Sequence, residues 1–206
     1  MIIMVKTNKI RILKELEKYP VFTTKTIRDI IGKERKYSNL ILYRLKKARL
    51  ILELERNKYT THEDPWIVAS HIVWPSYISG WAALQYHHLT EQLPWQIDVI
   101  TTRQKKKREI KFANAKIKFI KTNPKYMFGF KKEYHQGFEI FIAEKEKSIA
   151  DSFIFKKVSE EELLEIISKN KRELDLKLIV KYIKKMIRRP WAKSAKRFLE
   201  RLDKNA

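Results

Sequence analysis

Residue spacing predicts an α+β protein in two parts: three short helices and a hairpin over residues 1–61, then a domain over 62–206 with a small antiparallel sheet and a helical C-terminal half. Three observations carry this expectation. Apolar residues recur at helical spacing in three consecutive segments before residue 50. Short runs of period-two alternation follow between residues 94 and 143. Beyond Ala143 the helical period returns and holds almost to the end of the sequence.

Lys6–Tyr19 gathers Ile10, Ile12, Leu13 and Leu16 near one helical face. Phe22-Thr23-Thr24 supplies a hydroxyl N-cap for a second helix, Lys25–Ile31, and Gly32 ends it. A third helix is expected over Ser38–Arg49, with Ile41, Leu42, Leu45 and Ala48 as its apolar stripe. Leu50–Glu55 and Lys58–Thr60 then flank Arg56-Asn57, the pattern of a two-stranded ribbon with a polar tip. This order is that of a winged helix-turn-helix, whose third helix enters the major groove of DNA.

Charge points the same way. Residues 1–61 hold 16 Lys/Arg against 6 Asp/Glu, a net +10. Opposite its apolar stripe the third helix carries Asn39, Leu40, Tyr43, Lys46 and Lys47, preceded by Arg35, Lys36, Tyr37 and Ser38. Asn can bridge adenine edges, an exposed Leu can meet a thymine methyl, and Lys, Arg and Tyr suit phosphates. Arg56 and Lys58 at the ribbon tip are placed to reach an adjacent minor groove or the backbone. These eleven residues, Arg35, Lys36, Tyr37, Ser38, Asn39, Leu40, Tyr43, Lys46, Lys47, Arg56 and Lys58, are the expected DNA contacts.

In the second part, Pro65 suits the first turn of a new helix. Trp66–Val73 and Ser76–His88 read as two helices separated by Trp74-Pro75. Strands are expected at Pro94–Thr102, Glu109–Phe112, Ala115–Thr122 and Phe138–Ala143. Helices follow at Lys145–Phe155, at Glu160–Lys169 with Ser159 as cap and Glu162 three residues on, at Leu174–Arg188, and after Pro190 to Leu202.

The net charge of +22 is spread over the whole chain, with +6 on residues 62–158 and +6 on 159–206. An acidic partner follows, nucleic acid before protein, and an anionic membrane last. No apolar run approaches the roughly 18 residues of a membrane span, and no signal peptide is visible, so a cytoplasmic protein is expected. The sequence contains no cysteine, which excludes disulfides and thiolate metal sites.

Candidate chemistry beyond DNA binding is sparse. Asp98 with Glu109-Ile110-Lys111 matches the carboxylate, carboxylate-x-lysine arrangement of metal-dependent nucleases, at a spacing that a lysine-rich chain meets by chance. His62, His71, His87, His88 and His135 lack ligand spacing and read as packing or surface residues. The run Arg103-Gln104-Lys105-Lys106-Lys107-Arg108 joins two strands and is either a solvated loop or a contact for phosphate or an acidic partner. The C-terminal helices carry Lys177, Lys181, Lys184, Lys185, Arg188, Arg189, Lys193, Lys196, Arg197 and Arg201 opposite an apolar face of Leu174, Leu178, Tyr182, Ile183, Met186 and Ile187.

Two segments carry a family likeness. Tyr77-Ile78-Ser79-x-Trp81-x-Ala83-Leu84-x-Tyr86-x-x-Leu89-Thr90-Glu91-Gln92-x-Pro94 leads into Val99-Ile100-Thr101-Thr102, and Ile142-Ala143-Glu144-Lys145-Glu146-Lys147-Ser148-Ile149-Ala150-Asp151 follows. Both resemble the AbiEi-type antitoxins and transcriptional regulators of abortive-infection (viral defence) systems. The resemblance implies a non-enzymatic regulator without cofactor or metal. Such a protein represses its own operon through the N-terminal unit, as monomer or homodimer. It neutralises a nucleotidyltransferase-like toxin through the second domain. A stand-alone winged-helix transcription factor without a toxin, and a metal-dependent nuclease or other nucleic-acid enzyme, are the alternatives.

Overall fold

The structure, a computed structural model, describes residues 2–187 and 192–204. Arg188, Arg189 and Pro190, assigned above to the C-terminal helices, lie outside the described residues. The chain is α+β. Helices α1 (Ile2–Leu16), α2 (Thr24–Ile31) and α3 (Arg35–Lys47) precede the antiparallel pair β1 (Leu52–Glu55) and β2 (Lys58–Thr60). Thr23 caps α2, accepting from the Thr26 amide, and Gly32 closes it at φ +62°. Leu16, Phe22, Ile27, Leu42, Leu45 and Ile51 form the core of this unit. Ile10 and Ala48, expected on inward faces, are exposed, Ala48 as the residue that ends α3.

Two hydrogen bonds join Phe22 to Tyr59, from the Phe22 amide to the Tyr59 carbonyl at 2.8 Å and in return at 2.9 Å. The segment before α2 thus lies alongside the hairpin. At the tip, Asn57 adopts the left-handed region at φ +62°. Its Oδ1 accepts from the Thr24 amide at 3.0 Å and the Thr24 hydroxyl at 2.7 Å, which fixes the tip against the start of α2.

The remaining elements are α4 (Pro65–Ala69), β3 (Ser76–Ser79), α5 (Gly80–Tyr86), β4 (Gln96–Thr101), β5 (Glu109–Phe112), β6 (Ala115–Lys121), a 3-10 turn at Pro124–Tyr126, β7 (Phe130–His135), β8 (Phe138–Ala143), α6 (Lys145–Ile154), α7 (Glu160–Lys169), α8 (Leu176–Met186) and α9 (Ala192–Lys204). The sheet is not the small antiparallel one expected. Six strands run in the order β5-β6-β4-β3-β8-β7, with β4 parallel to β6 and β3 parallel to β8. Two elements account for its added strands, while the parallel pairing of β4 with β6 joins two strands that were expected. Ser76–Ser79 is a strand, not the start of a helix, and Phe130–His135 adds an edge strand where none was expected.

Register sorts the sheet's two faces. Ile78 lies opposite Val99 and Ile142, and Ile97 opposite Ile117, which lies opposite Ile110. These side chains share a core with Val68, Ala69 and Ile72 from α4 and its C-terminal turn. The other face carries Tyr77 and Ser79 beside Ile100 and Asp98, toward α5 and α6. A second core joins Leu84 of α5 to Ile149, Phe153, Leu163, Ile179, Ile183 and Phe198.

Gly80 makes the strand-to-helix turn between β3 and α5. Its φ is +66°, and a Cβ there would stand 2.9 Å from Asp98 Oδ2. Asp98 is itself fixed, with Gln96 Nε2 donating to Oδ1 at 2.9 Å and Lys157 Nζ 3.3 Å away. Gly80→Ala is therefore expected to destabilise the protein by about 1–3 kcal/mol, from a left-handed alanine plus the clash. The urea unfolding midpoint measures it; an unchanged midpoint would contradict this turn.

On the same face lies a polar network without solvent access. Lys147 and Asp151, one turn apart on α6, are paired, with both side chains 0% exposed. Tyr77 donates its hydroxyl to Asp151 Oδ2 at 3.0 Å, and Ser79 donates to the same oxygen at 2.9 Å. Lys147 Nζ also donates to the Tyr77 hydroxyl at 2.9 Å. Burial pushes the Asp151 carboxyl up and the Lys147 ammonium down, while each holds the other back toward its charged form. Burial beside Asp151 pushes the Tyr77 phenol well above its ordinary value, so it remains a donor.

Candidate nucleic-acid interface

Helix α3 buries one face and leaves the other open. Ser38, Leu42 and Leu45 point inward. Lys36, Asn39, Leu40, Tyr43 and Lys47, at steps of three and four residues, form an exposed arc. At its centre Tyr43 is 62% exposed, flanked by Leu40 at 40% and Tyr37 at 46%. Three large apolar or aromatic side chains are thus held in water on a cationic helix. Arg35 at the start of the helix is exposed, and so are Arg44 and Arg49, which the sequence reading passed over.

Ser38 is a correction. It is fully buried and its hydroxyl donates to the Glu34 carbonyl at 3.0 Å, so it cannot reach a phosphate. The apolar stripe continues through it toward the N-terminus, with a small hydroxyl satisfied within the helix in place of a methyl group.

Two other expected contacts are engaged within the molecule. Lys46 pairs with Glu53 of β1, clasping helix to hairpin. Lys58 donates to the Ile72 carbonyl and lies 2.8 Å from Glu55 Oε1. Arg56 is exposed at the hairpin tip and is the cation there that faces solvent.

The hairpin is fastened to the six-stranded sheet. Leu54 is 3% exposed and belongs to the core shared by α4 and the sheet. Lys105 Nζ donates to Glu55 Oε1 at 2.6 Å and sits 4.9 Å from the Phe119 ring centre. Burial raises Glu55 toward its neutral form, but the ammoniums of Lys105 and Lys58 outweigh it and hold the carboxyl below its usual range. Lys105 is thus a bridge between the two units, whereas Arg103, Lys106, Lys107 and Arg108 are exposed around it.

The β4–β5 loop that carries these residues is anchored at both ends. Arg103 donates through its amide to Thr101 Oγ1 and through Nε to the Trp74 carbonyl, both at 3.2 Å. The Phe119 amide donates to the Arg108 carbonyl at 2.8 Å.

On α8, Lys177, Lys181, Lys184 and Lys185 are exposed opposite Ile179, Ile183 and Met186. On α9, Lys193, Lys196, Arg197 and Arg201 are exposed opposite Ala195, Phe198 and Leu202. Arg201 meets Glu161 of α7 at 3.3 Å.

The nuclease-like residues do not converge. Strand β6 lies between β4 and β5, so Asp98 and Glu109 stand two strand spacings apart, roughly 9–10 Å. Glu109 is exposed and pairs with Lys116 at 3.0 Å instead. Asp98 is also buried, which raises its carboxyl, and is engaged by Lys157 and Gln96. The histidines are dispersed: His87 bonds the Ala143 carbonyl at 2.7 Å, His71 the Ile67 carbonyl at 3.1 Å, and His135 the Asp64 carboxylate at 2.8 Å. Among the described residues no three His, Asp or Glu side chains are grouped as a metal site, and no helix is long and apolar enough to cross a membrane.

Comparison of the chain with protein-family models and with curated proteins finds no match to either.

Proposed function

We propose that the protein is a sequence-specific DNA-binding transcriptional regulator, with residues 1–61 acting as a winged helix-turn-helix. The observation that carries this reading is the exposed arc of α3, where Asn39, Leu40 and Tyr43 stand between Lys36 and Lys47 on a helix whose back is buried. The hairpin supports it. Phe22 adds a third edge to β1 and β2, and Asn57 fixes the tip, so Arg56 is presented from a rigid ribbon. An α-helix fits the major groove, and a ribbon beside it meets the flanking backbone.

Footprinting on the DNA upstream of its own gene tests the reading, and variants separate its parts. Asn39→Ala and Tyr43→Ala are expected to weaken the preferred site by about 1–3 kcal/mol and to flatten the preference between sequences. Lys47→Ala and Arg56→Ala are expected to weaken all duplexes alike, because phosphates carry no sequence. Lys46 and Lys58 are poor probes, since removing either also unclasps the hairpin. If Asn39→Ala weakened specific and random duplexes equally, α3 would not be the reading helix.

For the second domain the reading is the one the AbiEi-type resemblance supports: neutralisation of a nucleotidyltransferase-like toxin in an abortive-infection system. Tyr77, Ser79, Lys147 and Asp151, from both resembling segments, meet in the buried network. The likeness therefore concerns how the domain is built, and a partner is chosen by surface residues instead. The basic faces of α8 and α9 suit an acidic one. Co-expression with the product of the neighbouring gene tests this. Lys177→Glu with Lys181→Glu is expected to slow association, while failure of the wild-type chain to bind that product would leave a regulator without a toxin.

A further inference from the structure

Beside the hairpin, the six-stranded domain holds a cavity of about 350 Å³ lined by Arg103, Gln104, Lys105, Arg108, Lys118, Phe119, Ile120 and Lys121. Five of its eight lining residues are cationic and none is acidic. We propose that this pocket is a second DNA contact, which grips the backbone phosphates of the duplex where it passes beyond the hairpin. The proposal rests on the DNA-binding reading above and adds a docking site on the second domain.

Position argues for it first. Lys105 reaches from the pocket to Glu55, the residue before Arg56 at the hairpin tip, so pocket and tip share one ion pair. Leu54, buried in the core of the sheet domain, keeps that spacing from varying. A duplex lying against Arg56 therefore passes the mouth of the pocket without any rearrangement of the two units.

Chemistry and rigidity argue second. Arg103 is anchored through the Thr101 hydroxyl and the Trp74 carbonyl, and Arg108 through its own carbonyl. Lys118 and Lys121 come from β6, in the body of the sheet. Guanidinium groups bind phosphate oxygens in pairs, and holding the loop at both ends lowers the ordering entropy of binding. Glu55 neutralises Lys105, which lies over Phe119, and Lys118 stands opposite Asp98, which leaves Arg103, Arg108 and Lys121 for the ligand.

The test uses the full chain and two duplexes, one limited to the α3 and hairpin footprint and one longer by about 10 base pairs on the hairpin side. Arg108→Gln with Lys121→Gln removes two exposed cations and spares Lys105, and Lys184→Gln on α8 controls for lost charge. On the longer duplex, the double variant is expected to lower the slope of log affinity against log salt by about two. The shorter duplex should show no change, and base preference should stay as it was. Circular dichroism melts confirm that the variant is folded.

An unchanged slope on the longer duplex, with Lys47→Ala still lowering it, would overturn the pocket proposal alone and leave that surface to an acidic protein. Inorganic triphosphate is titrated alongside; a double variant that lost triphosphate binding but bound both duplexes like wild type would also overturn the proposal, in favour of a small-anion site. If the wild-type chain bound no duplex at all, the regulator reading and this proposal would fall together.

Discussion

Asp151→Ala is expected to cost about 3–5 kcal/mol of folding stability, the range for removing one partner of a buried ion pair. The reason lies in what it leaves behind. Lys147 would be left without its counter-charge in a site with no solvent access, forced either to hold an unpaired ammonium or to give up its proton beside the Met186 thioether, the Tyr77 hydroxyl and the Phe128 ring. The Tyr77 and Ser79 hydroxyls would both lose their acceptor. Asp151→Asn keeps an oxygen for those hydroxyls but not the charge facing Lys147, so a smaller loss is expected.

Replacing both charges by apolar residues does not escape the cost here. Such exchanges are often neutral for an isolated buried pair, but two hydroxyls donate to Asp151 in this one. Each buried hydroxyl left without an acceptor costs about 1–3 kcal/mol. Lys147→Met with Asp151→Leu is therefore expected to remain well below wild type, and to recover only when Tyr77→Phe and Ser79→Ala are added. Urea unfolding of the set measures this. A double variant as stable as wild type would mean that the hydroxyls find other partners.

That network shows where sequence reasoning stops. Lys147 and Asp151, four apart on a helix, look like any solvent-facing pair on a lysine-rich surface. What makes them internal is strand β3, some seventy residues earlier, and β3 was itself hidden. Tyr77-Ile78-Ser79 runs into Gly80-Trp81-Ala82-Ala83 without a polar break, so strand and helix read as one segment. Only the left-handed Gly80 separates them. Strand β7 was missed for another reason: an edge strand facing water has Lys131, Lys132 and Glu133 in sequence and shows little alternation. Parallel pairing of β4 with β6 and of β3 with β8 is non-local and leaves no trace in either strand alone.

The legible parts are those set by local chemistry. Ser159 and Glu162 form a reciprocal capping box and fix the start of α7 as read. Thr23 and Gly32 bound α2 in the same way. The exposed face of α3 was readable from its period, but its cations could not be ranked. Lys46, Lys58 and Lys105 have carboxylate or carbonyl partners that are distant in sequence or set by the hairpin's fold. In a chain with 46 basic residues, sequence does not tell a paired lysine from one facing solvent.

That ranking sets the second large effect. Arg35, Lys36, Arg44, Lys47, Arg49 and Arg56 are exposed on α3, at its end and on the hairpin. If these six neutralise six phosphates, log affinity should fall against log salt with a slope of about −5, since each contact contributes about −0.9. Affinity for duplex DNA is then expected to drop about 10³-fold between 50 and 200 mM salt. Lys47→Gln should lower the slope by about one, whereas Lys184→Gln on α8, which lies outside this face, should hardly alter it. A binding titration across that salt range, on specific and random duplexes, measures both. A nearly flat response would mean that the +10 charge of residues 1–61 does not face DNA, and the regulator reading would fall with it.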